Sequence, residues 1–319
     1  MDWKSLYYDS LISSGLSFLR SVRTDVPVLG KRVRALGSNF QYATNHTTLN
    51  VHTAGGGDEM MVRQLGRAFG EYVVANGDPD LGSITMVTGG FGPFCDYSPG
   101  DVNVYWWYSF GPMDSDPARF HDDVLVPNLQ VDLDLVLCGS ERIQREAEQL
   151  GYDTLYFPIG THGFRSLDVE RAGFGYAGSK GHKSSQKVQE IMGPYLSRED
   201  FEWVSHFTTP DELNLWYNTR YITFGLTKRG QRRWGVVNSR VFETLASATP
   251  FIIREHPTLD DVLGFQYPYQ ASNRTEVEGM VDQMMADPQG TLAEFREYAR
   301  RVRANHDYTV RLERLFSAL

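Results

Sequence analysis

At 319 residues the chain has room for two domains of about 150 residues each. Its 41% hydrophobic and 22% charged composition is ordinary for a globular protein, and no apolar run approaches the ~20 residues that span a membrane. The net charge of −9 arises in residues 1–159, with 11 Lys and Arg against 20 Asp and Glu, while residues 160–319 carry 20 of each; this disfavours extended nucleic-acid binding by the first half, apart from a basic arm at Arg20, Arg23, Lys31, Arg32 and Arg34.

Met1-Asp2-Trp3-Lys4-Ser5 lacks a basic stretch before an apolar core, so no secretory signal is expected. Cys95 and Cys138 are the only cysteines. Two, without metal-ligand spacing, fit a reducing, cytoplasmic setting better than a disulfide framework.

In chain order, apolar residues at Trp3, Leu6, Tyr7, Leu11, Leu16 and Leu19 predict a helix, and residues 1–35 are expected to form a helical arm. Leu49–His52 reads as a strand leading through Gly55-Gly56-Gly57-Asp58 into a helix from Glu59 to Ala75. Further strands are expected at Ile84–Val87, Val102–Trp107, Leu133–Leu137 and Thr154–Phe157, with helices at Pro117–Leu125 and at Ser140–Leu150, where Ser140 is the cap. A linker at about Gly160–Ala172 then divides residues 1–160 from residues 161–319. In the second half, Gly173–Ser179 is followed by a helix Ser184–Leu196, a strand Phe201–Ser205, a helix Thr209–Asn218 and a strand Tyr221–Gly225. A helix after Gly235, a β-branched strand at Phe251–Ile253, a helix Thr275–Ala286 and a helical Arg296–Leu319 complete the pattern. Strands alternating with helices imply α/β domains with mostly parallel sheets.

The segment Trp234–Ala246 is the richest in chemistry. A glycine turn and polar run, Gly235 to Ser239, lead onto an apolar-faced helix whose unpaired N–H groups and positive dipole end accept phosphate oxygens. Arg240 adds a cation. Glu243, three residues on, lies on the same face, where a carboxylate can accept hydrogen bonds from two ribose hydroxyls. An i,i+3 surface ion pair has the same spacing, but a helix start between two buried strands is where open α/β sheets bind ligands.

The block "NSRVFETLASATPFII", the helix Thr275–Ala286 and the final "HDYTVRLERLF" resemble the nucleotide-binding half of group-1 glycosyltransferases, nearest the branch named for the spore-maturation protein CgeB. The resemblance covers about residues 150–319. It implies the GT-B fold, two facing Rossmann-like domains: an acceptor-side domain at 1–160 and a donor domain at 161–319 whose C-terminal helix crosses back. It also implies a nucleotide-sugar donor, a UDP-linked hexose in the leading reading, no further cofactor and no catalytic metal. One departure stands out: many members carry a second glutamate eight residues before the position of Glu243, where this chain has Gly235.

In this reading Glu243 binds ribose, and Asn238, Ser239 and Arg240 bind diphosphate, assisted by Gly178, Ser179 and Lys183 of the loop after the first strand of the donor domain. Lys228, Arg229 and Arg233 belong to a run of four cations in six residues, read as a loop beyond a strand end. Gly56 and Gly57 permit close backbone approach to a ligand, and Asp58 is the candidate general base for the acceptor hydroxyl, with Asp96 and His52 as rivals. An Asp at that position is equally a helix cap. Three Asp-x-Asp triplets, at Asp78/Asp80, Asp114/Asp116 and Asp132/Asp134, are read as chance in an acidic half. Tyr105-Trp106-Trp107-Tyr108 has either a core or an acceptor-stacking role: alternation would bury Tyr105 and Trp107 or else Trp106 and Tyr108, core packing is the favoured reading, and an exposed pair could stack on a sugar or a base.

The acceptor stays open among a surface glycan, a protein side chain and a hydroxymethylated base of viral DNA. Two other functions stay open as well: a silent module that binds nucleotide or glycan, and a sugar-nucleotide epimerase of the same fold.

Overall fold

Two runs of β-branched and aromatic strands, most of them buried, give two parallel-rich sheets in this chain. The computed structural model describes residues 24–28, 31–35, 38–53, 57–88, 99–109, 121–126, 132–178, 186–205, 207 and 209–319. The chain divides into two compact units, Met1–Ile159 with Tyr308–Leu319, and Gly160–Asp307.

The helical arm expected at 1–35 is corrected where it is described: β1 (Thr24–Val28) and β2 (Lys31–Ala35) pair antiparallel, with Val28 opposite Lys31. Val26, Pro27 and Val28 favour extended backbone over a helix interior. The helix expected at Trp3–Val22 lies outside the described residues.

In the first unit β3 (Ser38–Ala43), an edge strand absent from the sequence reading, pairs antiparallel with β4 (Thr47–Thr53). There follow, each parallel to the last, β5 (Gly82–Thr88), β6 (Val102–Trp107), β7 (Leu135–Cys138) and β8 (Thr154–Tyr156). Helix α1 (Gly57–Asn76) connects β4 to β5 and buries Met61, Val62, Leu65, Ala68 and Phe69. Helix α2 (Glu141–Gln149) connects β7 to β8, and its cap is Ser140, whose Oγ accepts from the Ile143 amide at 3.2 Å. The helix expected at Pro117–Leu125 is, among the described residues, a π-helical turn at His121–Leu125.

Because β6 is an interior strand covered on both faces, all of Tyr105, Trp106, Trp107 and Tyr108 are buried, none more than 4% exposed. The core reading of this run therefore holds for both alternating pairs, and neither is left exposed to stack on a ligand.

The second unit runs β9 (Phe174–Ala177), α3 (Gln186–Met192), β10 (Phe201–Val204), α4 (Pro210–Thr219), β11 (Ile222–Gly225), α5 (Arg229–Trp234), α6 (Ser239–Ala246), β12 (Phe251–Arg254), α7 (Leu259–Leu263), β13 (Gln270–Ala271), α8 (Arg274–Ala286) and α9 (Pro288–His306). Its sheet is parallel throughout, in the order β10-β9-β11-β12-β13. Phe174, Tyr195 and Phe224 pack ring on ring over one face. On the other, Phe242 meets His306 of α9. The segment expected as a linker is tied to this unit by Arg171, which donates to the carbonyls of Tyr217, Arg220 and Ser247 at the ends of α4 and α6.

The helix expected at Arg296–Leu319 is two helices. Asp307 takes an extended backbone after α9, pairs with Thr161 in an isolated bridge, and accepts a contact from His162 Nδ1 at 2.8 Å. Beyond it α10 (Tyr308–Ala318) belongs to the first unit, where Phe316 packs on Phe69 and Tyr72 of α1. Among the described residues no helix is long and apolar enough to cross a membrane.

Candidate active site

The strand order of the second unit selects a place for a ligand. From β9 the chain steps to β10 on one side, then crosses back to β11 on the other, so the connections after β9 and β11 diverge. In open α/β sheets the crevice outside the carboxyl ends of such a pair is where ligands bind. Gly178 leaves β9 at this edge, and Leu226 to Asn238 leave β11 and lead into α6.

Asn238 stands at the N-cap of α6 in extended backbone, but its side chain makes no cap hydrogen bond. Its Nδ2 donates to Leu226 O at 3.3 Å and lies 3.4 Å from Thr227 Oγ1, leaving Oδ1 buried without a partner. Ser239 opens the helix, half-buried. The Arg240 guanidinium lies 4.9 Å from the centre of the Tyr176 ring and donates to Leu226 O at 3.4 Å. One turn in, Glu243 is only 4% exposed. It is therefore no surface residue, and its charge acts on Arg240 and on Tyr217 beside it.

Gly178 joins this group by contact. A Cβ built on it would fall 2.8 Å from Arg240 Nη2 and 2.7 Å from the Tyr176 ring. Its own amide is engaged, donating to Val204 O at 2.7 Å, and its carbonyl accepts from Trp203 Nε1 at 2.8 Å. That corrects the expectation that the Gly178 amide reaches a phosphate: the residue serves by being small. Ser179 and Lys183 lie outside the described residues.

The cationic run expected as a loop is the helix α5. Lys228 is its exposed N-cap, Arg229 is exposed in its first turn, and Arg233 turns its guanidinium to 5.7 Å from the Trp234 ring. The turn ends at Gly235 in the left-handed region, φ 71°, so this position is a helix stop. His256 fastens that stop: its Nε2 donates to Val236 O at 3.2 Å, and Thr258 Oγ1 donates to Gly235 O at 3.1 Å. Burial, helped by the charge of Arg232, pulls His256 down to about 4, so the ring is neutral.

Two cations that the sequence reading missed complete this edge. Arg254 ends β12, with Nη2 3.8 Å from Glu190 and Nη1 buried without a partner. Lys187 of α3 has its pKa lowered first by burial, then by Arg254, Arg232 and Arg229, against the opposing pull of Glu190. Arg232 Nε is likewise buried and unpartnered. Positive charge thus exceeds negative here, and a bound polyanion would relieve it. The signal in the sequence was the position of Arg254, directly after a buried parallel strand.

In the first unit Gly57 is the first residue of α1 and Asp58 the second, half-buried. His52 is buried within β4, and burial lowers its pKa to about 4. Gly56 and Asp96 lie outside the described residues. The Asp-x-Asp triplets that are described serve the backbone: Asp78 accepts from Thr44 Oγ1 and from the His46 and Asp80 amides, and Asp134 from the Asn103 amide. Asp114 and Asp116 lie outside the described residues. Among the described residues no group of three or more His, Cys, Asp or Glu could hold a metal ion.

Residues 181–317 match a protein family described as glycosyl transferase-like, a stretch that contains α5, α6 and the cations Lys187, Arg229, Arg232, Arg240 and Arg254. No curated protein matches the chain. Among solved structures, it is similar to T4 phage BGT in complex with its UDP-glucose substrate, at 14% identity over 74% of this chain and 81% of that one, with a TM-score of 0.47. It is also similar to the trehalose-6-phosphate synthase OtsA, 11% identical over 82% of this chain and 76% of that one (TM-score 0.45). The alpha,alpha-trehalose 6-phosphate synthase of Burkholderia multivorans is 12% identical over 79% and 74%, with a TM-score of 0.42.

Proposed function

We propose that this protein is a glycosyltransferase of the CgeB-like kind that moves a hexose from a UDP-linked donor to a hydroxyl acceptor without a catalytic metal. The observation that carries the reading is the withdrawn Glu243 carboxylate one turn behind Arg240, at the start of α6, on the edge where the strand order reverses. The match of residues 181–317 to the glycosyl transferase-like family supports it, because that stretch contains this helix.

In this reading Glu243 accepts hydrogen bonds from the ribose hydroxyls, and Arg240 with the first amides of α6 holds the diphosphate. Lys187, Arg229, Arg232 and Arg254 stabilise the negative charge that develops as the nucleoside diphosphate leaves. Gly235, closing α5 where relatives carry glutamate, favours a second reading, nucleotide binding without transfer.

The test is thermal unfolding and calorimetry with UDP, GDP, ADP, CMP and TDP and their sugar conjugates, with and without divalent metal. A selective shift with UDP is expected, and Glu243→Gln, which keeps the shape of the side chain, should weaken UDP binding at least about tenfold, ~1.4 kcal/mol. Equal affinity in the variant would remove Glu243 from the ribose. Metal-dependent binding would overturn the metal-independent form of the reading. Binding of UDP-glucose without release of UDP in the presence of any acceptor would select the second reading.

A further inference from the structure

Arginines that serve the fold of the second unit have their guanidinium groups fully engaged. Arg171 donates to the carbonyls of Tyr217, Arg220 and Ser247, to Thr249 Oγ1 and to Asn218 Oδ1. Arg198 grips both carboxylate oxygens of Asp200, at 2.7 and 2.9 Å. Arg254 and Arg232 differ. Nη1 of Arg254 and Nε of Arg232 are buried and, among the described residues, have no hydrogen-bond partner. The approach of Arg254 Nη2 to Glu190, at 3.8 Å, is too long for a hydrogen bond. Lys187 and Arg229 crowd the same place, with Glu190 opposing them. A buried guanidinium N–H left unpaired is a net cost that methionine or leucine would avoid.

The register fixes where this group lies. Thr223 of β11 is level with Gly175 of β9 and with Phe251 of β12. Carried three residues on, the same register sets Gly178, Leu226 and Arg254 in one row across the carboxyl edge. Arg240 holds the first part of that row, since it donates to Leu226 O and its guanidinium leaves no room for a Cβ on Gly178. Arg254 stands one strand beyond Leu226, about 5 Å along the row, and about 10 Å from Gly178. The turn between α5 and α6 leans on the segment after β12, because His256 Nε2 donates to Val236 O and Thr258 Oγ1 to Gly235 O. The start of α6 and the end of β12 are therefore neighbours, with Arg240 on one and Arg254 on the other.

We propose that Arg254 and Arg232, assisted by Lys187 and Arg229, read a carboxylate on the donor sugar, so that the donor is a nucleotide-linked uronic acid. The inference deepens the donor reading above and rests on it. With ribose at Glu243 and diphosphate at Arg240 and the start of α6, the next group along the donor is the sugar, and Arg254 is the next cation along the row. A carboxylate offers two oxygens in one plane, the pattern that guanidinium edges pair with. A neutral hexose offers only hydroxyls there and would leave the crowded cations without a counter-charge. The diphosphate is the competing occupant of the cluster, and it would be bound alike in neutral and acidic donors.

The experiment compares donors that differ only at C6. Full-length protein is titrated by calorimetry with UDP, with UDP-glucose and UDP-galactose, and with UDP-glucuronic and UDP-galacturonic acid. One of the acids is expected to bind at least about tenfold more tightly than its neutral counterpart. Arg254→Met and Arg232→Met should each remove most of that preference without lowering the melting temperature, because each takes an unpaired cation out of a crowded group. Arg254→Lys, which keeps the charge and loses the planar fork, should retain part of the preference. UDP binding with equal affinities for acid and neutral donors would overturn the uronic acid and spare the donor reading. A preference that survives both methionine variants would overturn the role of the two arginines. An equal loss for UDP and for all four sugar nucleotides would assign the cluster to the diphosphate and overturn the proposal. Binding of none of the five would overturn both readings.

Discussion

Gly178 and Arg240 share one space: a Cβ on the glycine would lie 2.8 Å from Nη2 of the arginine. The guanidinium is held there by the Tyr176 ring on one side and Leu226 O on the other, so it cannot yield without leaving one of them. Gly178→Ala is expected to displace Arg240 and weaken UDP binding about tenfold, ~1.4 kcal/mol, with little change in melting temperature. Calorimetry decides it, and an unchanged affinity would separate Arg240 from the nucleotide.

A second prediction concerns the crowded cations. The pKa of Lys187 is lowered first by burial, then by Arg254, Arg232 and Arg229. Folding therefore works against its charge, which a ligand's charge would repay. Lys187→Met should raise the melting temperature slightly when no anion is present, and reduce the further rise given by pyrophosphate. If the variant gains the full pyrophosphate shift of the parent, the cluster does not hold phosphate.

Stability should fall on mild acidification, and the sign follows from two histidines. His52 and His256 are lowered by burial from 6.5 to about 4. As pH falls through that window the unfolded chain takes up two protons that the folded chain refuses. Their contribution is thus fully present above about pH 6.5 and is lost toward pH 4, with a slope approaching ~2.7 kcal/mol per pH unit. Urea unfolding at pH 7, 6 and 5 measures it. His256→Gln should remove about half of the slope, and an equal slope in the variant would mean that His256 is already charged in the folded protein.

What the sequence revealed and what it hid follow from range. The parallel strands and most helices of both units were legible because β-branched runs and caps act locally: Thr209 caps α4 in the second unit with its reciprocal partner Glu212, and Ser140 caps α2 in the first. The helix bearing Asn238, Ser239, Arg240 and Glu243 was legible for the same reason. Lys187 was not, since only the fold brings α3 to the edge where β12 ends. Periodicity failed at the aromatic run of β6, where burial on both faces removes the inside-outside alternation.

Gly235 tests whether this chain can take the second glutamate of the glycosyltransferases that its sequence resembles. Its φ of 71° and ψ of 19° fall in the left-handed region, and its amide closes α5 onto the carbonyls of Arg232 and Gln231. Thr258 Oγ1 holds its carbonyl, and His256 holds the next one. The turn is therefore fixed from both sides, and a side chain here pays the left-handed cost without freedom to relax. Gly235→Glu should destabilise the protein by about 1–2 kcal/mol, with Gly235→Asn losing less because Asn tolerates this conformation. Neither should raise the affinity for UDP-glucose relative to UDP, because a glutamate at a helix stop has no preset path to the sugar. Thermal unfolding gives the first comparison and paired titrations of UDP and UDP-glucose the second. A gain specific to the sugar nucleotide in Gly235→Glu would show instead that the turn opens enough for a second carboxylate to work in this chain.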